Sequence, residues 1–211
     1  MQDNTRSFNM DCMDFMSEVP DKYYDLAIVD PPYGIGAGSE KFINGNSKTH
    51  KPFYKKNDWD TAIPNEDYFK ELKRVSKNQI IWGGNYFAHY LGSFRCFICW
   101  DKTIHGNSYA DCELAWTSFD QVARYYRKNI AQVTIEGRIH PTQKAVTLYA
   151  FCLKEFANQG DKILDTHGGS QSHRIACFNM GFALDIIELD KEYFDEGNMR
   201  FENHKKQLRL F

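Results

Sequence analysis

The chain has 211 residues, 42% hydrophobic and 15% aromatic, enough for one well-buried domain with an ordinary globular core. Its formal net charge of −2 excludes a uniformly basic nucleic-acid coat, so any attraction for phosphate must be local. No stretch approaches the roughly 20 uninterrupted apolar residues of a membrane helix, and the N-terminus lacks the regions of a signal peptide, which predicts a cytoplasmic protein.

In chain order, short β-rich runs alternate with amphipathic segments, which predicts an α/β sheet with helices on its faces. Strands are expected at Ser7 to Asp11 and Asp25 to Asp30, then a helix from Asn65 to Val75. Four strands follow, at Asn78 to Gly83, Arg95 to Trp100, Cys112 to Ser118 and Val122 to Arg127. The last third reads as a helix from Thr142 to Phe156 behind Pro141, a strand from Lys162 to Asp165, and a helix from His173 to Met180. A strand from Ala183 to Leu189 and a helix from Lys191 to about Gln207 close the pattern.

Two regions have no period. Gly34 to about Asp60 is rich in Gly, Asn, aromatics and lysine, with Lys41, Lys48, Lys51, Lys55 and Lys56 against Glu40 before its acidic end. A loop of this length inside a compact domain is usually functional or disordered. Lys128 to Arg138 is short and polar, and Arg124, Arg127 and Arg138 flank it. These lysines and arginines are candidates for phosphate contact, against the plainer reading of solvated loop charge.

The six cysteines are scattered, and the C-x-x-C pair Cys96 and Cys99 would point to opposite faces of a strand, so reduced, structural thiols are expected. The histidines His89, His105, His140, His167 and His173 show no compact metal spacing, and no metal is expected.

Chemistry concentrates in two places. In DLAIVDPPYG, Asp25 to Gly34, an apolar strand stops at Asp30, Pro31, Pro32 and Tyr33. Consecutive prolines stiffen the turn and donate no backbone hydrogen bond. Such a turn fixes a carboxylate, a free carbonyl and an aromatic face, the parts needed to hold an extruded base by its edge and its face. A rigid turn with a solvated Asp is the alternative. The second place is GDKILDTHGGSQSHRIACFNMGFALDIIELDKEYF, Gly160 to Phe194. Strand, glycine turn, helix, strand and acid in this order form the βαβ unit that holds a nucleoside cofactor. Asp165 ends its first strand, Thr166, His167 and Ser170 complete a turn in which Gly168 and Gly169 allow close approach, and Glu188 is placed to accept ribose hydroxyls.

D-P-P-Y after an apolar strand resembles the catalytic motif of amino-group DNA methyltransferases, which act on adenine N6 or cytosine N4. The run from Gly160 to Phe194 resembles that family's cofactor unit. With RIHPTQK, Arg138 to Lys144, the resemblance extends over nearly the whole chain. The catalytic motif comes first, which is the order of the beta group. The resemblance implies one domain over residues 1–211, of Rossmann-like class I methyltransferase fold, with a mostly parallel seven-stranded sheet and helices on both faces. It implies S-adenosylmethionine as cofactor, S-adenosylhomocysteine as product, no metal, and DNA as partner. By the same resemblance Asp30, Pro31, Pro32 and Tyr33 are catalytic, Asp11 meets the cofactor's adenine, and Lys144 meets its carboxylate.

The implied reaction is direct in-line methyl transfer to the 6-amino group of a flipped adenine. Cytosine 4-amino transfer, or a DNA-binding module with an impaired donor site, is the alternative. Carbon methylation is disfavoured, because no proline here precedes a cysteine. The separate target-recognition region of the family is nearly absent, with residues 128–138 a minimal one, as in a compact stand-alone bacterial or phage enzyme related to restriction–modification systems. The chain departs from the family's D-P-F-x-G-S-G-T turn at His167, in place of Phe, and at Gln171, in place of the second glycine, where a side chain is expected to clash with the cofactor or demand an unfavourable backbone angle. The final QLRLF resembles the peptide by which bacterial proteins bind the sliding clamp, through Gln207, Leu208, Leu210 and Phe211. Alternatively these residues finish the last helix. A monomer or homodimer is expected.

Overall fold

The computed structural model describes residues 2–37, 60–104, 110–129, 139–140 and 142–208. Among them the elements run β1 (Thr5–Asn9), α1 (Cys12–Ser17), β2 (Tyr24–Val29), α2 (Glu66–Val75), β3 (Ser76–Trp82), α3 (Ala88–Leu91) and β4 (Phe97–Asp101). They continue with β5 (Cys112–Thr117), β6 (Arg124–Arg127), α4 (Val146–Phe156), β7 (Lys162–Asp165), α5 (Ser172–Met180), β8 (Ala183–Glu188) and α6 (Lys191–Leu208).

All the strands join one sheet in the order β1-β8-β7-β2-β3-β5-β4-β6. The first five in that order are parallel, β5 runs antiparallel to both β3 and β4, and β6 is parallel to β4. The sheet is therefore eight-stranded, one strand more than the resemblance implied. The extra edge strand is β6, whose Tyr126 ring packs 5.0 Å from Phe151 of α4 and whose end is tied by Trp100 Nε1 donating to the Lys128 carbonyl at 3.1 Å.

The unbroken apolar run of β2 is explained by burial on both faces. Leu26 and Ile28 face a core shared with Ile80, Trp82, Trp100 and Ile186 beneath α4 and α5, while Ala27 and Val29 face a second core with Phe69, Leu72 and Leu164 beneath α2. Period-two alternation carries successive residues to opposite layers.

Helix α2 has the expected ends: Asn65 caps it by accepting from Tyr68 N at 3.1 Å, with Glu66 and Asp67 in its first turn and Lys73 and Arg74 in its last. Two expectations shift. β1 ends at Asn9 rather than Asp11, because Asp11 caps the unforeseen helix α1, accepting from Met13 N at 2.6 Å. Helix α4 starts at Val146 rather than Thr142, since the buried Lys144 is drawn out of helical register to a half-buried pair of carboxylates. The six-residue α1 and four-residue α3 are too short to show a period. No helix among the described residues is long and apolar enough to cross a membrane. All six cysteines are free.

Candidate active site

Parallel strands deliver their carboxyl ends to one edge of the sheet, and here those of β1, β2, β7 and β8 bring Asp11, Asp30, the Thr166–Ser170 turn and Glu188 together. Two cavities open there. One of about 440 Å³ is lined by Asp11, Thr166, His167, Gly168, Gly169, Ser170 and Glu188, with His140 and Tyr193 closing it. The other, about 420 Å³, is lined by Pro31, Tyr33, Asn85, Tyr86, Lys102 and Glu113. Asp30, Pro32, Thr142 and Lys144 belong to both walls. A carboxylate thus stands where two chambers meet.

The turn after β7 is built from backbone. Gly169 has φ +46° and its N–H donates to Glu188 Oε2 at 2.7 Å, while Glu188 Oε1 accepts from Asp190 N at 2.8 Å. Gly168 is packed so tightly that a Cβ would lie 2.9 Å from Ile186 Cγ1. Burial pushes the Glu188 carboxyl above its ordinary range. Asp165, expected on the cofactor side, lies behind the wall: its Oδ1 accepts from His167 N at 3.0 Å and its Oδ2 faces His173 Nδ1 at 2.9 Å, both side chains being 1% exposed. It shapes the turn instead of lining the chamber.

Gln171 does adopt the unfavourable angle, φ +55°, but its side chain does not line the chamber. It points away from the chamber, with Nε2 donating to Ser7 Oγ at 2.9 Å and Oε1 accepting from Arg174 Nη1 at 3.0 Å. Gly197 of α6 leaves the room, for a Cβ there would stand 2.7 Å from Gln171 Cγ. His167 does line the chamber; its ring meets Tyr68 edge to face at 5.5 Å, and Tyr68 OH lies 2.7 Å from Thr166 Oγ1.

Around Asp30 the charges are paired in a chain. Tyr33 OH donates to Asp30 Oδ1 at 2.5 Å and Lys144 Nζ to Oδ2 at 2.6 Å. Lys144 also lies 3.1 Å from Glu113 Oε2, and Lys102 Nζ lies 2.6 Å from Glu113 Oε1. Burial pushes the Asp30 carboxyl up, and the Lys144 charge only partly offsets it. Burial opposes the Lys144 charge as well, but Asp30 and Glu113 outweigh it and raise its pKa. Lys144 therefore presents an ammonium already committed to two carboxylates, where a free one was expected for a cofactor carboxylate.

Tyr33 is held by two neighbours. Its ring stacks on Tyr86 at 5.0 Å and 15°, and Gly83, with φ +73°, passes so close that a Cβ would meet Tyr33 Cε1 at 2.2 Å. Asp60, buried at the end of the basic segment, folds back on the turn and accepts from Gly34 N and Ala37 N, both at 2.8 Å. Glu113, Lys102, Tyr86 and Asp60 were not singled out by sequence. An acid in the apolar strand CELAWT was the available signal for Glu113.

Of the residues expected at phosphate, Arg124 and Arg127 sit on the edge strand β6, facing Glu155 at 3.2 Å and Asp101 at 3.5 Å, and line neither chamber. Lys41, Lys48, Lys51, Lys55, Lys56 and Arg138 lie outside the described residues, as do Leu210 and Phe211. Among the described residues no trio of His, Cys, Asp or Glu is arranged to hold a metal ion.

An open, mostly parallel sheet with a nucleoside-type turn after β7 and a D-P-P-Y turn after the neighbouring β2 defines a class I methyltransferase fold. The DNA methylase model for N6 and N4 methyltransferases matches residues 81–199, more than half of the chain. The chain belongs to that DNA methylase family, with the motif order of its beta group. It is 23% identical to the type II methyltransferase M2.MboI of Moraxella bovis, over 98% of this chain and 94% of that one. In fold it is similar to M1.HpyAVI solved with S-adenosylmethionine, TM-score 0.60 and 18% identity over 93% of this chain and 99% of that one. The cytosine-N4-specific PvuII DNA methyltransferase gives a TM-score of 0.65 at 14% identity, over 98% and 92% of the two chains.

Proposed function

We propose that this protein transfers the methyl group of S-adenosylmethionine to the 6-amino group of an adenine in DNA. The observation that carries the reading is the pair of chambers meeting at Asp30. The donor chamber falls in the volume range of small-ligand sites. Asp11, Glu188 and Asp190 line it, and the Asp30 charge is offset by Lys144, which suits a cationic sulfonium. When bound there, the donor supplies an electrophilic methyl group.

The remaining difficulty is the base amine, whose lone pair is delocalised into the ring. Asp30 and the Pro31 carbonyl each accept one amine hydrogen, which favours a pyramidal nitrogen and stabilises the positive charge that develops on it. Tyr33 and Tyr86 offer the aromatic face for a flipped ring, a contact worth about 1 to 3 kcal/mol per base. Holding both reactants in line supplies the rest. Asp at the head of D-P-P-Y favours adenine over cytosine, for which Ser is more usual there. The lysines between 41 and 56, with Arg138, are assigned to DNA phosphates.

The test is digestion of DNA treated with the protein and S-adenosylmethionine, followed by mass spectrometry of the nucleosides. N6-methyladenine is expected, and N4-methylcytosine in its place would overturn the base assignment. Asp30→Ala is expected to lower transfer by on the order of 100-fold or more, with donor affinity by calorimetry close to that of the unaltered chain. Substantial residual turnover would contradict the role given to Asp30.

A further inference from the structure

Asp30 has both oxygens occupied, Oδ1 by the Tyr33 hydroxyl and Oδ2 by the Lys144 ammonium. A base amine that donates to this carboxylate must either share an oxygen with one of them, through its remaining lone pair, or displace it. Beyond Lys144 stands a second carboxylate whose Oε1 is held by Lys102 at 2.6 Å. Its Oε2 is buried and ion-paired with Lys144 Nζ at 3.1 Å without a well-aligned hydrogen bond, so it is a charged acceptor able to take Lys144 more fully.

We propose that Glu113 is a positioning residue that gives the Lys144 ammonium a second seat, so that Lys144 swings from Asp30 to Glu113 when a base amine enters and leaves Asp30 Oδ2 free to accept it. This rests on the reading of Asp30 as the acceptor of the amine. The short distance matters because the lysine changes partner without ever being a buried unpaired cation, the state that makes breaking a buried ion pair costly. It also keeps Asp30 ionised, with positive charge still nearby. Burial pushes the Glu113 carboxyl up, but Lys144 and Lys102 outweigh it and hold it below its ordinary range, so the seat is charged. Among the described residues the ionisable groups that act on it are Asp30 and Tyr33 after β2, Lys102 after β4, Lys144 before α4 and Tyr149 within α4, and Asp60 and Cys112 share its chamber wall.

The experiment measures single-turnover methyl transfer to DNA across pH for the unaltered protein, Glu113→Gln and Glu113→Asp, with donor and DNA affinities measured in parallel. Glu113→Gln keeps the shape and removes the seat. Its rate is expected to fall about tenfold or more with both affinities unchanged. Its acid limb is expected to move to lower pH, because a negative charge beside Asp30 is gone and the lysine stays on Asp30. Glu113→Asp is expected to recover part of the rate. A merely structural role would lower folded protein or both affinities without a selective loss of the single-turnover rate. Should Glu113→Gln fail to fold, Glu113→Asp decides, with an intermediate rate at unchanged affinities supporting the proposal and the full rate opposing it. Transfer by Glu113→Gln at the unaltered rate and profile overturns this inference alone. Absence of transfer by the unaltered protein overturns the reading of function and this inference with it.

Discussion

At position 167 an imidazole stands where the family's turn commonly has a phenyl ring. It is one wall of the donor chamber, with Nδ1 2.9 Å from Thr166 Oγ1. Burial lowers its pKa from 6.5 to about 4, so the ring is neutral at pH 7 and adds no positive charge against a sulfonium. The linkage has a definite sign. From pH 6.5 downward the unfolded chain takes up a proton at this position that the folded chain refuses until about pH 4. The folded state should lose up to about 3 kcal/mol across that window. Denaturant unfolding between pH 7 and pH 4 is expected to show a steeper loss for the unaltered chain than for His167→Phe. Parallel curves for the two would show that the imidazole is not buried as described.

The turn after β7 and helix α6 are fitted to each other. Gly197 inside a helix costs about 1 kcal/mol relative to Ala, and what it provides is space for Gln171, held in a left-handed conformation by Ser7 and Arg174. Arg174 is itself buried, bonded to Thr5 and Asn198 and lying 3.9 Å over the Phe201 ring. At an open helical site Gly197→Ala would stabilise. Here a Cβ would also lie 3.0 Å from the Gly169 carbonyl, so the substitution is expected to cost about 1 to 3 kcal/mol and to weaken donor binding by displacing the turn. Combining it with Gln171→Gly should give less than the sum of the two losses, a coupling of about 1 kcal/mol read from thermal or denaturant melts. Strict additivity would mean that the two positions do not share this space.

Across the molecule, the parallel half of the sheet was legible because strands buried on both faces leave continuous apolar runs, as in DLAIVD and KILD. The glycine turn and the acid at Glu188 were legible because backbone approach to a nucleoside demands them. What stayed hidden depends on side-chain contacts that the local pattern does not carry. Lys144 reads as part of a helix until Asp30 and Glu113, 114 and 31 residues away, pull it straight. Asp165 reads as a ligand contact until His173 covers it. Gln171 reads as a defect until Gly197 is seen opposite. The chain's end belongs to this scale too. Helix α6 runs to Leu208, so Gln207 and Leu208 of the clamp-like QLRLF finish the helix, and clamp binding by this end is a prediction to be tested. Clamp should be retained by the intact chain and not by one lacking its last five residues. Equal retention would return those residues to the helix.

Gly83 carries a consequence for descent. A first side-chain carbon there would collide with the Tyr33 ring, and the backbone angle already disfavours any other residue. A lineage that keeps the Tyr33 ring in this position is expected to keep glycine here too.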